Sequence, residues 1–177
     1  MPFTPYHFGP VLFVGLLFLG FIDFPTFLIA SVIVDIEPFI VLFFNLNYPL
    51  YGFFHSLLGG TLVALPLALV MHQIRDKFSQ LLSFFRLEQK VSFKSILLAS
   101  LLGIYIHILL DSRIYTDIQP FHPTTYNPLL TTAGIFAGLD SYIFCIWSFF
   151  GALIIYIIRL LLIRRKSLGK AMLKGGF

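Results

Sequence analysis

His107 and Asp111 stand four residues apart in IYIHILLDSRIYTD, within one of the most apolar stretches of the chain. On a helix that spacing puts both side chains on one face, a turn apart. A histidine and a carboxylate so placed can share one divalent metal ion, or can simply hydrogen-bond as a local pair. Either group alone is costly at membrane depth, so each calls for a partner. His55 in GFFHSLLGG, Asp35 in VDIEP and His7 in TPYHFGP are candidates for further ligands. Asp35 and Glu37 are two apart and face opposite ways on a straight helix; both reach one site only if the backbone bends, which Pro38 permits. Blander readings stay open: His55 as an interfacial residue beside the close-packing Gly59 and Gly60, and Asp35 as an intramembrane acid kept protonated.

Other polar residues have more local readings. Arg113 and Asp117 flank the end of the same apolar run; the arginine can grip a phosphate or carboxylate bidentately, or pair with Asp117. His122, followed by Pro123, lies further along that loop as a possible substrate contact. Asp23 in GFIDFP and Asp140 in GLDSY read as helix N-caps, and His72 beside Arg75 as a solvated interfacial residue. Cys145 is the only cysteine, which excludes an intramolecular disulfide and a cysteine-based zinc motif and leaves a core-packing role. The chain has no GxSxG nucleophile elbow.

The elements that must position these groups are membrane helices. The chain is 58% hydrophobic, only 11% charged and carries 22 phenylalanines, a composition that no ordinary soluble domain has. Apolar windows give five segments, at about 9–22, 24–44, 53–73, 95–110 and 139–163. The first and fourth look short for a bilayer, and the second should break or kink near Glu37. The N-terminus has no basic region and no small-residue cleavage site, so no removable signal peptide is expected. The net charge is +4, but its 12 lysines and arginines cluster at 75–94 and 159–174 with Arg113 alone elsewhere, so they read as topology, a 74–94 loop and a 164–177 tail, rather than as a nucleic-acid surface. The LLSFF stretch in that loop suits a short interfacial helix. The expectation is one all-α, polytopic membrane bundle over residues 1–177, with the N-terminus outside, a 112–138 outer loop and the C-terminus cytoplasmic. That threading gathers His7, His55, His107, His122, Glu37, Asp111 and Asp117 at the outer face, with Asp35 about a turn away.

MPFTPYHFGP, DIEP, HSLLGG after an aromatic pair, and the H-x-x-x-D run followed by YTDIQPFHPTTYNPLL, in that order, resemble the membrane-bound metal-dependent hydrolase-like family that includes the LexA-regulated inner-membrane proteins. The likeness spans residue 1 to about 160. It implies an inner-membrane protein with a divalent-metal site formed by His7, Asp35, His55, His107 and Asp111, with Glu37 as a neighbour. The order of ligands is also similar to the first part of the set in the zinc-dependent phospholipase C enzymes. That likeness implies His55, His107, Asp35 and Asp111 on one metal and His7 helping to hold a second. Further histidine and glutamate ligands of those enzymes have no clear counterpart here, so the expectation is one or two ions, zinc before manganese or iron.

With a metal-activated water as nucleophile and Asp35 or Glu37 as general base, the expected chemistry is hydrolysis of a phosphoester or ester of a lipid or other amphiphile at the outer rim of the bilayer. Two other readings compete. The same groups could line a path for metal ions or solutes in a small channel or transporter, or a metal could staple a non-catalytic assembly protein. The sequence leaves the oligomeric state open.

Overall fold

A computed structural model of the chain describes residues 4–131 and 139–174. Among them the structure is all-helical: α1 (Phe8–Leu17), α2 (Phe24–Ile33), α3 (Ile36–Phe43), α4 (Leu57–Ile74), α5 (Ser79–Phe84), α6 (Phe93–Asp111) and α7 (Leu139–Lys174). Short 3-10 turns at Thr4–His7 and Phe53–His55 lead into α1 and α4, and a third at Arg75–Phe78 follows α4. Four stretches are long and apolar enough to cross a membrane, Phe24–Phe43, Leu57–Phe84, Phe93–Asp111 and Leu139–Gly169, with the shorter Pro5–Leu17 beside them. The chain is a multi-pass membrane protein. Its exposed side chains along α4 and α7, such as Leu62, Leu69, Ile154 and Leu161, are those of helices that face lipid.

Several boundaries differ from the sequence reading, each for a local reason. The fourth segment is not short: Ser92 accepts from the Ser95 N–H at 3.3 Å and starts α6 at Phe93, so its 19 residues span about 28 Å. The first is shorter still, at 10 residues or about 15 Å, because the chain leaves the helix after Leu17 to reach Asp23. Residues 164–174 of the basic tail are helical and continue α7, since nothing in RRKSLGKAMLK ends a helix except the tolerated Gly169. The break in the second segment falls at Val34 and Asp35. Pro38 has no N–H to give the Val34 carbonyl and its ring crowds that oxygen, which accepts instead from Glu37 N at 3.0 Å.

At the core, α6 packs on α2 and α4, and α1 packs chiefly on α7. Glycines allow the close approach: a Cβ on Gly103 would lie 2.6 Å from Ala30 Cβ, and one on Gly60 would lie 2.7 Å from both Ile104 and Ile108. Ala30, Val34, Ala64, Ile104 and Ile108 fill the space between.

The two ends of the bundle are chemically distinct. At one end Asp23 caps α2, accepting from Thr26 N at 3.2 Å, and its other oxygen takes the Arg75 Nε–H; both residues are buried. Gln89 closes the same end by donating to the Ile22 carbonyl at 2.7 Å and accepting from Phe24 N at 3.0 Å. The expected cap thus holds, and it does more than cap. His72 is exposed there, edge-on to Phe93, as expected of an interfacial residue. The α5 turn exposes Leu81 and Phe84 while burying Leu82, which suits an interfacial helix. Cys145 is buried, and its carbonyl lies where a side chain on Gly9 would go.

Candidate metal centre

The other end gathers the ionisable groups. His107 and Asp111 project from the last turns of α6, Asp35 sits in the α2–α3 break, His55 closes the 3-10 turn before α4, and His7 closes the one before α1. Ser56 fixes where α4 begins by accepting from Gly59 N at 3.0 Å, which sets His55 just outside the helix. Asp35, His55, His107 and Asp111 each offer a ligand atom, all within 4.8 Å of one another, and the group could hold a metal ion. His55 and His107 are fully buried and Asp111 nearly so; Asp35 keeps 26% of its side-chain exposure and is the side on which the group opens.

Two hydrogen bonds decide which histidine atoms face the centre. His107 Nδ1 lies 2.7 Å from the Ser31 carbonyl oxygen, which can only accept, so Nδ1 carries the proton. His55 Nδ1 lies 2.8 Å from Glu37 Oε2, and a carboxylate oxygen fixes the same tautomer. With Nδ1 so committed, the neutral form of either ring presents its Nε2 lone pair inward. His107 Nε2 is 3.4 Å from Asp35 and 3.5 Å from Asp111, and His55 Nε2 is 4.0 Å from Asp35. Among the described residues, His55 Nε2, His107 Nε2 and both Asp111 oxygens are buried and make no well-formed hydrogen bond; they meet only one another, Asp35 and His7, at 3.1–4.0 Å. Asp111 is also the last residue of α6, where the partial negative charge of the helix end disfavours a carboxylate. A cation answers all of these at once, so the donor set fits a divalent metal.

His7 joins from the side. Its Nε2 is 3.1 Å from Asp111 Oδ1 and its ring stacks on His107 with centroids 4.2 Å apart. It lies outside the four-residue group, and its buried Nδ1 has no hydrogen bond. Glu37, 8% exposed, accepts from both His55 and the Phe54 N–H, so it holds His55 in place. The bend has brought both acids of VDIEP inward.

The expected mouth residues are placed differently from one another. Arg113 pairs with Asp140, in the first turn of α7, and donates to Ser141 at 3.3 Å; this takes the place of an Arg113–Asp117 pair. Asp117 accepts from Tyr51 N at 3.4 Å and ties the 44–56 connection to the 112–131 loop. His122 is exposed, edge-on to Phe53 at 5.3 Å, two residues from His55 and outside the four-residue group.

Tyr51 and Tyr115 went unnoticed in the sequence. Tyr51 is 3% exposed, packs edge-on against His55 at 4.8 Å, and meets Tyr115 with ring centroids 4.5 Å apart. Burial pushes both phenols above their usual range, and the Asp111 carboxylate adds to the shift in each. Eight tyrosines in a chain this aromatic give no signal; only the polar company of Tyr51, four residues before His55, could have.

Comparison of the chain with protein-family models, with curated proteins and with solved structures finds no match.

Proposed function

We propose that the protein is a membrane-bound, metal-dependent hydrolase acting on a phosphoester or ester of a lipid or other amphiphile. The observation that carries this reading is the pair of forced tautomers: Ser31 and Glu37 aim two Nε2 lone pairs at the carboxylates of Asp35 and Asp111. Two imidazoles and two carboxylates suit zinc first, then manganese or iron. A second ion beside His7 and Asp111 is the extension that the resemblance to the zinc-dependent phospholipase C enzymes suggests. When bound, the cation would supply an acidified water and a polarised ester oxygen.

The side chains divide the remaining work. Asp35, the most exposed carboxylate of the group, would take the proton of the attacking water. Glu37 orients His55 and strengthens it as a ligand. The amphiphilic substrate is supported by what surrounds the opening: next to Asp35, α3 exposes Ile36, Phe39 and Phe43, so a substrate would reach the centre from the bilayer side. By the positive-inside rule the centre lies at the outer face and the Arg75–Lys94 and Arg164–Lys174 stretches in the cytoplasm, as in the inner-membrane family that the sequence resembles.

The full burial of three of the four ligands favours a second reading, a structural metal without turnover. Elemental analysis of purified protein, a zinc-dependent assay on phosphoester and ester lipids in mixed micelles, and thermal unfolding with and without chelator separate the two. The hydrolase reading expects close to one or two bound ions and turnover lost in Asp35→Asn. Bound metal with no turnover and a melting point that collapses on chelation means a staple; no metal, even when supplied, refutes both.

A further inference from the structure

Helix α7 leans mainly on α1, and α1 ends at Leu17 while α7 runs on to Lys174. Beyond the end of α1, toward the basic end of the bundle, no helix of matching length lies beside α7 among the described residues. The gap is a groove of about 680 Å³. Its walls come from Leu16 of α1, Phe24 and Leu28 of α2, Phe85 after α5, and Phe150 and Leu153 of α7. The lining is apolar; Tyr156, its one hydroxyl, donates to the Phe85 carbonyl at 3.1 Å. An apolar space of this size does not hold ordered water, which needs two or more polar partners. Leu81, Phe85, Phe150 and Leu153 are each more than two-fifths exposed, so the groove opens sideways to lipid.

Its basic end is charged in one sense. Arg86 stands between the lining residues Phe85 and Leu87, and Arg159, one turn beyond Tyr156, donates its Nε–H to the Arg86 carbonyl at 3.2 Å. That bond leaves the rest of the Arg159 guanidinium and the whole exposed Arg86 side chain for another acceptor. The nearby acid Glu88 accepts from Ser83 at 3.2 Å. Two arginines at the mouth of an apolar slot match an anionic headgroup on an apolar tail.

We propose that the groove is a binding site for one anionic phospholipid of the leaflet at the basic end, with an acyl chain beside α7 and the phosphate between Arg86 and Arg159. The site is independent of the metal centre and of any hydrolysis: its lining includes no ligand of the centre.

Native mass spectrometry of the full-length protein from mild detergent, with phosphatidylglycerol or phosphatidylcholine added back, tests this. One retained phosphatidylglycerol is expected, and phosphatidylglycerol should raise the melting point where phosphatidylcholine does not. The double variant R86Q/R159Q should bind it about thirtyfold more weakly. Leu153→Trp, at a lipid-exposed wall, should block the slot without disturbing the core and lose the lipid while keeping both arginines. Equal binding of the two lipids, or binding unchanged in both variants, would overturn the proposal.

Discussion

Glu37 is the residue on which the centre's geometry turns, although it offers no ligand atom to the four-residue group. A carboxylate behind a ligating histidine fixes its tautomer and raises its basicity, and losing such a partner costs roughly 10–100-fold in metal affinity. Glu37→Gln should weaken metal binding by about that factor with little change in melting point, because an amide oxygen can still accept from His55 Nδ1. Titration with a competing chelator reads it. An unchanged affinity would mean that the negative charge behind His55 adds nothing to its strength as a ligand. His107 and Asp111 could be picked out because their spacing is a local property. The His55–Glu37 contact could not: it joins residues 18 apart across an irregular connection that no periodicity describes. The Arg113–Asp140 pair escaped for the same reason, and as an exposed pair it contributes little to stability.

At the scale of elements, the α2–α3 break is what turns a straight apolar segment into part of a site. Its cause is Pro38, which strips the Val34 carbonyl of its regular partner. Pro38→Ala restores that N–H and lets the segment run straight, swinging Asp35 away from His55 and His107. The expected result is unchanged helix content by circular dichroism, a melting point equal to or above that of the parent apo protein, and at least tenfold weaker metal binding. Wild-type metal affinity would show that tertiary packing alone sets the bend. The sequence made the bend readable because proline acts on its immediate neighbours. The true length of α1 was not readable, since Phe18–Ile22 is as apolar as a helix and leaves it only to deliver Asp23 to Arg75.

For the molecule as a whole, polarity is sorted to two ends. The Asp23–Arg75 pair is buried at one, and Arg75 carries the charge that a topology rule counts as merely basic and exposed. Because Arg75 is 7% exposed, Asp23→Ala would leave an unpaired buried cation and should cost about 3–5 kcal/mol. Thermal unfolding and protease cutting within the 75–91 connection measure it; a loss below about 1 kcal/mol would mean that Arg75 escapes to solvent. Charge counting sets an expected sidedness for the chain, but it could not separate a solvated arginine from one that closes a helix end. That distinction needs the partner, 52 residues away.

The packing of α1 on α7 also fixes an order of events. These helices lie at opposite ends of the chain, and His7 precedes α1 directly. A short helix of 10 residues gains most of its stability from its tertiary partner. During synthesis that partner emerges after the four-residue group has already been made. The stacking of His7 on His107 is therefore a late step in biogenesis, and a chain truncated before Leu139 would be caught with its ligands assembled and its first histidine unanchored.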